Sequence, residues 1–70
     1  MRHATGTLLL IQESRFRLLC DDGRGLSLAL APSAPIEPQD LPELLHRRVR
    51  VSWTPSPGLI AGAAHSVEAL

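Results

Sequence analysis

The stretch Asp21-Asp22-Gly23 constrains this chain more than any other. Before it, Phe16, Leu18 and Cys20 alternate with Arg15, Arg17 and Leu19. After it, Leu26, Leu28 and Leu30 alternate with Ser27, Ala29 and Ala31. Period-two alternation on both sides of an Asp-Gly turn reads as a β-hairpin. Its parity can be tested. A two-residue Asp22-Gly23 loop would set Leu18 opposite Ser27 and Phe16 opposite Ala29. Directly opposed residues share one face of a sheet, so the two apolar stripes would then face opposite ways. An odd loop repairs the register. With Asp21-Asp22-Gly23 as the loop, Cys20 faces Arg24, Leu18 faces Leu26 and Phe16 faces Leu28, and Gly23 supplies the left-handed residue. A five-residue loop ending at Gly25 would keep the same parity.

The remaining elements follow from local pattern. Residues 5–12 read as a first strand, apolar on both faces, with Gly6 marking a bend or a close backbone approach. Gln12-Glu13-Ser14 reads as a polar turn, and residues 15–20 and 24–31 are the hairpin strands. Three prolines between Pro32 and Pro38 exclude a helix or central strand there. Asp40 then reads as a helix N-cap, with Glu43 completing a capping box and Pro42 in the first turn. This predicts a two-turn helix over residues 40–46 with Leu41, Leu44 and Leu45 on one face and His46 near its C-terminal dipole. Val49, Val51 and Trp53 alternate with Arg48, Arg50 and Ser52 as a fourth strand. After the turn Thr54-Pro55-Ser56-Pro57-Gly58, residues 60–68 read as a fifth strand.

The order β-β-β-α-β-β resembles the OB-fold, a five-stranded Greek-key barrel with a helix between its third and fourth strands. The Asp22-Gly23 hairpin, the Asp40–His46 helix and Val49-Arg50-Val51 carry the resemblance, which spans nearly the whole chain. The chain is similar to small single-domain OB-like proteins of bacteria. The fold class expected is therefore all-β, a closed OB-like barrel, with an SH3-like barrel as the nearest competitor. In an OB arrangement the first strand lies between the second and the fourth. Phe16, Leu18, Leu26, Leu28, Val49, Val51, Trp53 and Val67 would then point inward, and Leu41, Leu44 and Leu45 would plug one end. Arg15, Arg17, Leu19, Arg48 and Arg50 would point outward around a first strand whose Leu8–Ile11 run must expose alternate residues.

Composition limits what such a barrel can do. Seventy residues make one domain, and a chain this short buries only about 60% of its unfolded surface. The single cysteine, Cys20, cannot form an intramolecular disulfide and fits a reducing cytoplasm. The apolar run Leu8–Ile11 is too short for a secretory or membrane segment, so the chain is read as soluble and cytoplasmic, with no membrane partner. His3, His46 and His65 are scattered, and His65 reads as a surface or satisfied histidine. Cys20 lies on the inward stripe as an inert thiol. Asp21 and Asp22 are explained by turn chemistry, and Gly23-Arg24-Gly25 lacks the length of a phosphate loop. No catalytic constellation, cofactor or metal site is read.

Formal net charge is zero, and all seven basic residues are arginine. GC-rich codon usage explains that choice as readily as bidentate recognition does. The outer surface has two readings: arginine stems covering leucines, or a contact surface. As a contact surface, Arg15, Arg17, Arg24, Arg48 and Arg50 would hold the backbone of single-stranded nucleic acid, weakly. With one Phe and one Trp, both inward, no stacking platform is available. The alternative is a protein partner or self-association into a homo-oligomer.

Overall fold

A computed structural model describes residues 1–58 and 60–70. Five strands, β1 (Arg2–Gln12), β2 (Arg15–Cys20), β3 (Gly25–Leu30), β4 (Arg48–Pro55) and β5 (Gly62–Ala69), close into a barrel in the order β1-β2-β3-β5-β4. β3 and β5 are parallel, the other pairs antiparallel, and one short helical segment lies between β3 and β4. This is the all-β, OB-like arrangement expected from the element order.

The hairpin takes the three-residue loop. Phe16 pairs with Leu28 and Leu18 with Leu26. The Cys20 amide donates to the Arg24 carbonyl at 2.8 Å, and Gly23 adopts φ 92°. The interior is apolar: Leu8, Phe16, Leu18, Leu28, Leu41, Val49, Val51, Trp53 and Ala64 form one buried cluster. Leu26 and Val67, expected inside, are half-buried against it.

β1 starts earlier than expected, at Arg2, and serves two neighbours. Its first part, Arg2–Thr7, pairs with β4, and its later part, Gly6–Gln12, pairs with β2. The two partnerships overlap at Gly6 and Thr7. A Cβ added at Gly6 would lie 2.1 Å from the Leu19 carbonyl oxygen. The backbones therefore meet there at a distance that only glycine permits.

The structure corrects the expectation that Leu8–Ile11 exposes alternate residues. A bulge at Leu9 separates the pairs Leu8–Leu18 and Leu10–Arg17. The extra residue resets the alternation, so Leu8 and Ile11 both face the core partners Leu18 and Phe16. Leu10 is left outside, 58% exposed, and the expected apolar strip shrinks to Leu10 and Leu19.

The helix also differs. It is a 3₁₀ segment, Pro38–Leu44, preceded by Glu37 rather than capped by Asp40. Asp40 instead accepts the Glu37 amide at 3.2 Å. The amides of Asp40, Leu45 and Arg47 each reach back three residues, to Glu37, Pro42 and Leu44. Proline disfavours α-helical winding: inside a segment that starts at Pro38, Pro42 has no N–H for the bond to the Pro38 carbonyl, and its ring would clash with that carbonyl. With three residues per turn, Leu41 and Leu44 share a face and Leu45 does not. Accordingly Leu41 is fully buried, Leu44 is half-buried and Leu45 is exposed. His46 reverses the chain at φ 66°, its amide donating to Leu8 carbonyl at 2.6 Å, and is not a dipole-capping side chain.

Candidate functional site

Register builds the outer arginine face. On the outward side of β1, Thr5 lies beside Arg50 and Thr7 beside Arg48. Past the bulge, Leu10 lies beside Arg17 and Gln12 beside Arg15. The four guanidinium-bearing residues thus follow β1 diagonally, two on its β4 side and two on its β2 side, over roughly 20 Å at strand rise. All four are exposed. Leu10 and Leu19 interrupt the row, and no aromatic ring joins it: Phe16 is 3% exposed and Trp53 8%.

The four are not equivalent. Arg48 Nη2 lies 2.5 Å from Asp21 Oδ2. That hydrogen bond holds the Asp21 carboxyl below its ordinary value and raises the Arg48 guanidinium. Arg50 is registered opposite Glu68 of β5. Arg15 and Arg17 have no carboxylate partner among the described residues. They line a shallow cleft of about 210 Å³ that runs from Leu10 and Gln12 to Ile60. Arg17 folds over the β3 backbone, its Nη2 2.8 Å from where a Cβ on Gly25 would stand.

Arg24 does not join this row. It sits at the hairpin tip, where its amide donates to Asp22 Oδ1 at 2.9 Å. There it borders a larger cavity of about 450 Å³ at the mouth of the barrel. This mouth arises where the β1–β2 ladder ends at Gly6 and β1 continues with β4; the hairpin tip stays tied to β1 at Thr5, whose carbonyl accepts the Asp21 amide at 3.0 Å. Ala4, Cys20, Leu26 and Trp53 line the interior side of the opening, and Arg2, Asp21, Asp22 and Arg24 are its charged residues. Arg2 lies over the Trp53 ring, its Cζ 5.6 Å from the centroid. The Trp53 Nε1–H is buried without a hydrogen-bond partner, which costs about 1–3 kcal/mol for a neutral donor.

Cys20 is half-buried beside the same cavity, and desolvation with the Asp22 charge pushes its thiol up. His65 meets expectation: its Nε2 lies 2.8 Å from Thr54 Oγ1 in a half-buried pair. Among the described residues, no three His, Cys, Asp or Glu side chains gather as a metal site, and no helix is long and apolar enough to cross a membrane.

Sequence reasoning missed the mouth because the first strand was read from Thr5, leaving Arg2 outside it. The available signal was the continued even-numbered inward parity from Leu8 back through Ala4 to Arg2. The chain matches no known protein family, no curated protein and no solved structure.

Proposed function

We propose that this chain is a small non-enzymatic binding module, cytoplasmic and OB-like as in small bacterial barrels, that holds the phosphate backbone of single-stranded nucleic acid. Arg15 and Arg17 carry the reading: both are exposed, neither has a carboxylate partner among the described residues, and both line one cleft. Arg48 and Arg50 extend the same face, and Arg24 adds charge at the hairpin tip. Guanidinium groups suit the phosphate oxygens geometrically. Without exposed aromatics the contact is to backbone rather than to bases. Neutral net charge makes the binding weak and salt-sensitive. Two to four phosphate contacts correspond to a log–log salt slope of about −1.4 to −2.8 for single strands.

Fluorescence anisotropy of a labelled oligonucleotide at low and high salt tests this. Binding should fall with salt along that slope and drop further in Arg15→Ala/Arg17→Ala. Absence of binding at low salt, or an unchanged double variant, would overturn it. One observation favours a second reading, a protein partner or a second copy of this chain: Leu10 and Leu19 are 58% and 44% exposed on the same face. Sedimentation at high protein concentration distinguishes self-association, which Leu10→Ser would then abolish.

A further inference from the structure

The mouth cavity stands apart from the arginine face and shares only Arg24 with the nucleic-acid reading of it. Three of its features converge. First, its charges divide into held and unheld groups. Asp21 is paired with Arg48, whereas Asp22 accepts only the neutral Arg24 amide and keeps its charge. The guanidinium groups of Arg2 and Arg24 have no carboxylate partner among the described residues. With Asp21 balanced by Arg48, Arg2 and Arg24 against Asp22 leave the opening with one net positive charge. Second, a residue that lines it carries a buried neutral donor without an acceptor, the Nε1–H of Trp53. Buried donors are almost always paired, so an orphan beside a cavity asks for an oxygen. Third, the inner wall is apolar, made by Ala4, Leu26 and the Trp53 ring, and about 450 Å³ is the size of a small-molecule site rather than of a single ion.

From this we infer that the barrel mouth binds a small organic anion, an oxyanion on a compact apolar body. The apolar body packs on Ala4, Leu26 and the indole. The oxyanion takes up Arg2 and Arg24. Among the described residues the Arg2 guanidinium has only its position over the Trp53 ring, a weak contact at an exposed site, so the anion draws it off and an oxygen comes within reach of Nε1–H. Carboxylates and phosphate esters share this chemistry. Desolvation, with the Asp22 charge, raises the Cys20 thiol further, so it stays neutral inside the opening.

The chain has one Trp and no Tyr, so its intrinsic fluorescence reports this site alone. The test titrates the full chain with benzoate, with phenyl phosphate and with neutral benzamide. Benzoate or phenyl phosphate should change the emission saturably, and whichever binds tighter identifies the oxyanion class; benzamide should bind about tenfold more weakly or not at all. Arg2→Ala and Arg24→Ala, both at exposed positions, should each weaken the anion about tenfold, the effect of one lost charge-assisted hydrogen bond. Trp53→Phe, followed by calorimetry, should weaken it several-fold. Arg15→Ala/Arg17→Ala should leave it unchanged. No saturable response to either anion would overturn the proposal. So would equal affinity for benzamide, indifference to both arginine substitutions, or loss in the Arg15/Arg17 variant, which would mean unspecific charge attraction. None of these outcomes depends on whether the outer face binds nucleic acid.

Discussion

The two ends of the barrel are closed by different physics. At the end where β3 finishes and β4 begins, the 3₁₀ segment inserts Leu41, which has no exposed surface. At the other end, where β4 finishes and β3 begins, Trp53 lines an opening with Arg2, Asp21, Asp22 and Arg24. The first closure is apolar throughout and asks for nothing more. The second leaves a buried donor unpaired and two guanidinium groups uncommitted. A molecule that optimised only stability would have capped both ends like the first. The contrast separates the end that holds the barrel together from the end equipped to meet a ligand.

The largest effect should come from the plugged end. Leu41→Ala removes a fully buried side chain and should lower stability by about 3 kcal/mol in urea melts. Leu45→Ala, four residues later but exposed, should change it by less than about 0.5 kcal/mol. Similar losses for the two would contradict the 3₁₀ winding that separates them. Next in size is Gly6→Ala, at the point where β1 parts from β2. Its Cβ meets the Leu19 carbonyl at 2.1 Å, so the strands must move apart, at about 2 kcal/mol. Because the mouth begins there, this substitution should also weaken benzoate, whereas the molecules of Leu41→Ala that remain folded should bind it normally.

Smaller effects test the surface. Arg15→Ala/Arg17→Ala should leave stability within about 0.5 kcal/mol of the parent while reducing oligonucleotide affinity, read by melts and anisotropy on the same preparation. The smallest effect concerns Asp21. Its carboxyl in the folded chain lies below the ordinary 3.8. Its contribution is therefore complete above that value and is lost as the pH falls through the lower folded value. Urea midpoints followed into the acid range should show a small loss that Asp21→Asn abolishes and that added salt weakens, as for any exposed pair. A loss appearing instead as the pH rises would exclude the Asp21–Arg48 bond as its source.

Much of the fold was legible in the residues because strand alternation is local. The spacing of Phe16 and Leu18 from Leu26 and Leu28 admits only an odd loop, and that parity alone puts Phe16 inside and Arg15 and Arg17 outside. The same reasoning failed along Leu8–Ile11. A bulge is one extra residue, and whether the chain inserts it depends on what the partner strand offers, here Leu18 and Phe16. It failed again at Asp40, a good cap by type. The helix began earlier, at Pro38, where Glu37 and Asp40 satisfy each other's backbone ends, and Pro42 in its interior disfavours α-helical winding.

The site divides in the same way. That Arg15, Arg17, Arg48 and Arg50 point outward follows from alternation and belongs to the sequence. That Arg48 is neutralised by Asp21, while Arg15 and Arg17 stay unpaired beside a cleft, depends on contacts between residues far apart in the chain. The mouth depends on them entirely. Arg2, Trp53 and the hairpin tip come together only because β1 exchanges one partner for another at Gly6. Alternation is set by backbone geometry within a strand, so the sequence determined which side chains face in and which face out. The choice of neighbours is set by barrel closure, so only the tertiary structure decided which inward residues meet a sealed core and which meet an opening.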